Sequence, residues 1–537
     1  MRVDSIWRNG RFWTGTGERP EAHALAVLHG RIVAVDDLEG LEADEVHDLD
    51  GARVVPGLHD AHHHLSLTGH RLGMVDLKGL TELEELYSRL AARAAELGPD
   101  EWVKATYYDQ NLMNGEHPSA EGIDAAVGGR PAIVEHVSGH MIVANTRAME
   151  LAGFADRRHP DIDGGRVFRD ADGRATGLLQ ERAANPVREA SSNVSKAEIL
   201  EALERASEQA VSYGLTSLTE PGVVASGTLT TRCADVDAYQ TAVATGRIKP
   251  RMTIMPFHTA LHPLDAPAGW QSLDWGIRTG LGDDRLRIGP VKIVSDGSLI
   301  GRSAAVHQCY CGEPENVGVM QLSGEELRAA LISYHRAGWA VATHAIGDRA
   351  IDHVLDAVEV AQRLEPRRVR HRIEHFAIAS DEQVARCADL GVIPVPQGVF
   401  ISDFGDGILE AIGPERSAGT YRMRSLLDAG MVVPGSTDSP VSDANPFVSM
   451  HDLVNRKTHS GADFAPAERV SIEEALHAYT VGSAHAVGRE DAVGTLAVGR
   501  LADFVVLSED LLQVPAERIR EVQAMRTVVG GETVFSW

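Results

Sequence analysis

SGEELRAALISYHRAGWAVATH (residues 323–344) carries the pattern on which the fold turns. Ser323 with Glu326 forms a capping box, so a helix begins there. Leu327, Leu331 and Tyr334 fall on one face at helical spacing. Gly338 ends the helix, because glycine accepts the left-handed conformation just past a helix C-terminus. The residues that follow, WAVATH, read as a buried strand. The unit recurs along the chain. Ser195 with Glu198 opens a helix with Leu203, Ala206 and Ala210 on its face, and Gly214 stops it before LTSLT. Ser380 with Gln383 opens another, stopped by Gly391 before VIPVP. A further helix ends at Gly430 before MVVPGST.

Helix, glycine, apolar strand, loop, helix: this order predicts a parallel sheet. Eight candidate strands follow it. They are RVVPGLHDAH (53–62), LTSLTE (215–220), PRMTIMPF (250–257), IGPVKIVSD (288–296), WAVATHA (339–345), RHRIEHF (370–376), VIPVPQ (392–397) and VVPGSTD (432–438). Eight such units fit an α/β fold of the closed (β/α)₈ TIM-barrel type. No glycine-rich dinucleotide fingerprint follows any strand, which disfavours an open doubly wound sheet. The chain of 537 residues is long enough for a barrel and appendages. SIWRNGRFWTG and ALAVLHGRIVAVDD near the start, and VGTLAVGRLADFVVLS and MRTVVGGETVF near the end, are hairpin-like. Residues 1–52 and 489–537 are therefore expected to form a small β-sandwich, with the barrel over 53–488. The long stretch after the first strand, about 68–190, is too long for a loop and reads as an inserted subdomain over the barrel mouth.

The net charge is −26, from 51 basic and 77 acidic side chains, so a nucleic-acid partner would be repelled. MRVDSIWRNGRFWTG has no apolar core of a signal peptide, and no stretch approaches the roughly 20 apolar residues of a membrane span. A cytoplasmic location and no membrane partner are expected. Cys309-Tyr310-Cys311 is only weakly patterned as a metal pair, and four cysteines do not make a disulfide framework.

In such a barrel the reactive side chains sit at the C-terminal ends of strands. Those ends carry His62-His63-His64, Lys292, His344, His375 and Asp438. His62 and His64 are two apart and share a face, while His63 points away. A histidine after an apolar run is more often a hydrogen-bonded core residue than a ligand. The coincidence of four histidines and an aspartate at equivalent strand ends argues for metal. Imidazole and carboxylate suit zinc, and also iron or manganese. Lys292 lies in VKIV, where an ammonium is costly unless paired. Either it forms a buried salt bridge, or CO₂ converts it to a carbamate, whose negative charge offsets part of that of two divalent ions.

PGLHDAHHHL, VSGHMIVANTRAMELAG, VKIVSDGSLIGRSAA, THAIGDRAID, RIEHF and GSTDSPV, in this order and spacing, resemble the amidohydrolase superfamily. Within it they resemble the YtcJ-like subgroup of amidohydrolase family 3, which also contains N-substituted formamide deformylases. The resemblance covers nearly the whole chain. It implies that His62, His64 and Asp438 bind the more buried of two divalent metals, that His344 and His375 bind the other, and that carboxylated Lys292 bridges them. It places His140 in the insertion, within reach of a substrate or organising its loop. His59 and His63 stand where the family is usually apolar. Glu220, Arg302 and Asp348, also near strand ends, are read as structural pairs. The implied activity is hydrolysis of a carbon–nitrogen bond other than a peptide bond, in an amide, N-formyl or cyclic amide small molecule. The metals polarise the carbonyl and make hydroxide available, and Asp438 acts as general base and then acid. The alternatives are a mononuclear deaminase or esterase on the same scaffold, or a non-catalytic regulatory protein. A homodimer is the default expectation for assembly.

Overall fold

The structure is a computed structural model. It describes residues 1–136, 141–154, 157, 162, 165–192, 194–224, 234–264 and 273–537. Two compact units are present. The first comprises residues 1–65, 206–225 and 235–537, and the second residues 66–205 and 226–234.

The first unit is built on parallel strands. They are β1 (Leu58–Asp60), β2 (Leu215–Val223), β3 (Arg251–Pro256), β4 (Val291–Val294), β5 (Val341–Ala345), β6 (Arg372–His375) and β7 (Ile393–Val395). β1, β2 and β3 pair in that order, and Leu286–Ile288 extends the same sheet. β4, β5, β6 and β7 form the second arc. A parallel bridge between Phe257 and Lys292 joins the arcs on one side. On the other side residues 432–438 close the ring. Ala61 N–H donates to the Gly435 carbonyl at 3.0 Å and Asp438 N–H to that of His62 at 2.8 Å. Ser436 Oγ donates to the Pro396 carbonyl at 2.9 Å, just past β7. Every residue of β2 and β3 is buried, as expected for strands covered on both faces. The two arcs and the closing segment make a (β/α)₈ TIM-type barrel.

The expected helix starts and stops are present. Ser323 and Ser380 each form a reciprocal capping box, with Glu326 and Gln383. Gly214, Gly338, Gly391 and Gly430 all have φ between 63° and 87°. Three candidate strands differ from expectation. RVVPGLHDAH is broken at Gly57. Arg53–Pro56 pairs with Phe504–Leu507 and Arg11–Trp13, and only Leu58–Asp60 enters the barrel. The break needs glycine, because a Cβ there would lie 2.1 Å from Thr216 Oγ1. IGPVKIVSD is likewise split at Gly289-Pro290, where proline has no N–H to give a ladder. VVPGSTD is extended but forms no regular strand. Its donors are spent elsewhere, Gly435 N–H on the Ala478 carbonyl and Thr437 N–H on the Asp60 carboxylate.

Two further sheets hold the chain termini, one built from residues 2–48 alone and one from strands of both ends. Arg2–Arg8 pairs with Leu25–Leu28 and Glu42–Asp48. Ala524–Val529 and Glu532–Ser536 join Phe504–Leu507 and Arg53–Pro56 in the other. Trp7, Phe12, Leu25, Val54, Phe504 and Val528 pack in their common core. Buried ion pairs between Arg53 and Asp510 and between Arg251 and Asp503 lie at the edges of this region. The second unit is a six-stranded mixed sheet running from Gly165–Arg169 to Val75–Asp76. The helices Leu83–Glu96 and Ala120–Val127 supply Leu86, Leu90 and Ile123 to its core. Among the described residues, no helix is long and apolar enough to cross a membrane.

Candidate metal centre

Asp438, His62 and His375 each bring one donor atom to within 4.8 Å of the others, and all three are buried. Asp438 Oδ1 lies 3.2 Å from His62 Nε2 and 3.3 Å from His64 Nε2. The His375 ring is centred 5.0 Å from that of His62 and 4.6 Å from that of His344. Lys292, 3% exposed, sits on β4 beside β5 and feels the charges of Glu374 and Asp438. The predicted residues His62, His64, His344, His375 and Asp438 thus share one cluster at the ends of β1, β5, β6 and segment 432–438, with Lys292 inside the same barrel. His63 turns away, its Nδ1 3.3 Å from Asp60 Oδ2. His140 lies outside the described residues.

The outer nitrogen of each imidazole faces an acceptor. His62 Nδ1 donates to Glu374 Oε2 at 2.5 Å, His344 Nδ1 to Asp296 Oδ1 at 2.9 Å, and His375 Nδ1 to Gln397 Oε1 at 2.8 Å. His64 Nδ1 stands 3.4 Å from Glu220 Oε1, an ion-pair distance. With the proton held on Nδ1, the Nε2 atoms of His62, His344 and His375 keep their lone pairs for the centre. The donor set therefore fits a divalent metal: imidazole nitrogens fixed in the right tautomer around one carboxylate.

Residues 45–535 match the family model described as amidohydrolase family. The chain belongs to the amidohydrolase family. It is 27% identical to the YtcJ protein of Bacillus subtilis (strain 168), over 99% of each chain. It is 31% identical to the N-substituted formamide deformylase of Arthrobacter pascens, over 95% of this chain and 94% of that one. Among solved structures, an uncharacterized metal-dependent hydrolase from Pyrococcus furiosus superposes with a TM-score of 0.78 at 29% identity, covering 95% of this chain and 100% of that one.

In this amidohydrolase the outer acceptors went unseen in the sequence. Asp296 ends the VKIVSD run, and its carboxylate accepts the N–H groups of Ala305, Ile346 and Gly347. Gln397 is oriented by its own amide, which donates to Val395 O at 2.9 Å and Ser436 Oγ at 3.0 Å. Glu374 was hidden by strand alternation, which would send it and His375 to opposite faces. At His375 the backbone turns left-handed, φ 73°, and both side chains reach His62. Asp438 is left-handed too, φ 62°. Such strained positions cluster at functional sites.

The electrostatics are set by burial and by opposite charge. Burial acts to raise the Asp438 carboxyl, but the charge and hydrogen bonds of His62 and His64 hold it well below the usual carboxylate range. Burial acts to lower His64, but Asp438 and Glu220 outweigh it and push it up to about 9. Burial lowers the Lys292 ammonium, against the pull of Glu374 and Asp438. Burial, with Arg489 and Arg372, pushes His59 down to about 3, and its Nε2 bonds Thr219 Oγ1 at 3.1 Å. His59 is thus a neutral core histidine.

The remaining strand-end residues divide. Arg302 pairs with Glu313 at 2.6 Å, and Asp348 accepts the His307 N–H. Both are structural. Glu220 accepts from Tyr239 at 2.5 Å and also stands beside His64, so it belongs to the site. Cys309 and Cys311 are free and join no donor cluster among the described residues.

Proposed function

We propose that this amidohydrolase cleaves a carbon–nitrogen bond other than a peptide bond, in an amide, N-formyl or cyclic amide small molecule. The observation that carries this reading is the position of Asp438, whose Oδ1 lies close to the Nε2 atoms of both His62 and His64. His62, His64 and Asp438 would hold one divalent ion, and His344 and His375 a second. Lys292, as a carbamate, would bridge them. Zinc is the expected metal, and iron or manganese suits the same donors.

When bound, such metals supply carbonyl polarisation and hydroxide near neutral pH. The proton work belongs to Asp438. Ionised across the working pH range, it accepts the proton of the attacking water and delivers it to the leaving nitrogen. His62, His64, His344 and His375 hold their geometry through Glu374, Glu220, Asp296 and Gln397. Lys292 is confined to a buried position where an ammonium is disfavoured. That suits the neutral amine which combines with CO₂ and so turns a cation into an anion. The formamide deformylase, similar along nearly its whole length, favours N-formyl compounds as the first substrates to try.

The test is a panel of amides, N-formyl compounds, cyclic ureides, esters and aminated heterocycles, assayed with the metal-loaded enzyme and with metal counted in parallel. Turnover confined to carbon–nitrogen hydrolysis, with close to two metals per chain, is expected. Turnover of esters alone, or of ring deamination with a single metal, would replace this reading.

A further inference from the structure

Behind His62 the barrel holds a charged pair, of which the proposed chemistry uses only Glu374 and gives Arg372 no part. Arg372 and Glu374 are two apart on β6 and share a face, and both side chains are 0% exposed. Arg372 Nε donates to Glu374 Oε1 at 2.8 Å and Nη2 to Oε2 at 2.9 Å, a bidentate pair. The same Nη2 donates to the Ala61 carbonyl at 2.8 Å. Glu374 Oε2 accepts from His62 Nδ1 at 2.5 Å. One guanidinium therefore reaches His62 twice, through its side chain and through the main chain one residue before it.

Stability alone is a poor account of this pair. Two charges buried in a barrel interior cost more in desolvation than well-packed apolar residues would. Arg372 Nη1 is buried and meets no hydrogen-bond partner among the described residues. Another buried pair, Arg251 with Asp503, joins the start of β3 to the segment before Phe504–Leu507, where Asp503 also accepts the Gly530 N–H. The Arg372 pair ends instead on a candidate ligand. Carboxylates also face His344 and His64, and the neutral amide of Gln397 serves His375; at His62 the carboxylate is itself held by the fork of Arg372. An ionised carboxylate is acceptor-only, so His62 must carry its proton on Nδ1 and present Nε2.

We propose that Arg372 and Glu374 are positioning residues which clamp His62, fixing its tautomer and main chain and setting the affinity of the centre for metal. The inference rests on the metal reading of the site given above.

The test uses the full chain, stripped by chelation and titrated with zinc against a chromophoric chelator. Glu374→Gln keeps the shape and removes the charge. Zinc binding should weaken about 10- to 100-fold, with circular dichroism and thermal unfolding showing an intact fold. Glu374→Asp, which restores the charge at a shorter reach, should recover part of the loss. Ring ¹⁵N shifts should place the His62 proton on Nδ1 in the wild type, and show a mixture of tautomers in Glu374→Gln. Wild-type zinc affinity in Glu374→Gln would overturn the clamp. If Glu374→Gln does not fold, Arg372→Lys takes its place, since it keeps the charge and loses the fork; unchanged affinity there overturns the clamp equally. A wild-type protein that binds no zinc removes the metal reading and the clamp with it. Weakened zinc binding in the variants of a protein that hydrolyses no amide leaves the clamp standing and sinks only the proposed reaction.

Discussion

Thr437 gives the Asp60 carboxylate two hydrogen bonds, from its backbone N–H at 3.1 Å and its hydroxyl at 2.5 Å. Asp60 also accepts the His62 N–H at 3.1 Å. One buried carboxylate thus pins the first ligand segment to the last, where Asp438 follows Thr437. Thr437→Val removes the hydroxyl at nearly constant volume, taking from Asp60 Oδ2 its shortest hydrogen bond and from the Ser439 N–H its acceptor. Denaturant unfolding should show a loss of about 1–3 kcal/mol, and dialysis should strip metal faster than from the wild type. Unchanged stability would show that the pin is not needed.

Asp438→Asn tests the proton carrier. Asparagine keeps the size but cannot take a proton in turnover. The variant should fold, keep at least one metal and lose at least about a hundredfold in kcat, with a smaller change in KM. Asp443 is the control. It is exposed and accepts the local N–H of Asn445. Activity lost in Asp443→Asn and kept in Asp438→Asn would reverse the assignment.

Metal counting tests the ligands. Elemental analysis of protein made with ample metal and bicarbonate should find close to two divalent ions per chain. His62→Ala and His64→Ala should each lose at least one. Full occupancy in both would remove the first strand from the site.

Lys292 has its own signature. A carbon-13 spectrum of protein prepared with labelled bicarbonate should show a carbamate carbon, and Lys292→Ala should lose that signal, most of the activity and much of the metal. An unmodified lysine in a fully active, two-metal enzyme would require another bridging anion.

A second histidine pair makes stability depend on pH away from the centre. His371 Nδ1 accepts the Val341 N–H at 3.1 Å, its Nε2 lies 2.9 Å from His335 Nδ1, and His335 Nε2 donates to the Glu365 carbonyl at 2.7 Å. His371 fits here as the neutral ring, because the Nδ1 that accepts the Val341 N–H cannot carry a proton. Burial, and then His335, push His371 down to about 3. The unfolded chain, with an ordinary histidine near 6.5, binds the proton first as pH falls. His371 therefore favours the folded state fully above about pH 6.5, and that contribution is lost progressively down to about pH 3. Between about pH 6 and 4, the wild type should lose up to about 1.4 kcal/mol per pH unit more than His371→Gln. Parallel stability curves would disprove the relay.

Much of this molecule was legible because its punctuation is local. Ser323, Ser380 and the glycines after each helix act through their own backbones, so the βα repeat could be read without tertiary information. The histidines that the structure brings together stood out because they end apolar runs. What escaped depends on neighbours far along the chain. Gly57 breaks the first strand because Thr216 crowds it, and nothing in RVVPGLHDAH announces Thr216. The segment VVPGSTD has strand chemistry, but its donors are claimed by Ala478 and Asp60. Glu374 was concealed by the alternation rule itself, which fails at the left-handed His375.

The bend at Gly57 also bears on how the protein is made. Arg53–Pro56 and Leu58–Asp60 are one ribbon, and its first half finds its antiparallel partner in Phe504–Leu507 while Gly57 N–H bonds the Asp503 carbonyl. A nascent chain has every candidate ligand outside the ribosome once Asp438 has emerged, yet Arg53–Pro56, with Arg11–Trp13 on one side, still lacks Phe504–Leu507 on the other. The centre must then wait for the last strands of the chain, and a ribosome stalled between the two points would carry a full set of ligands on an unfinished frame.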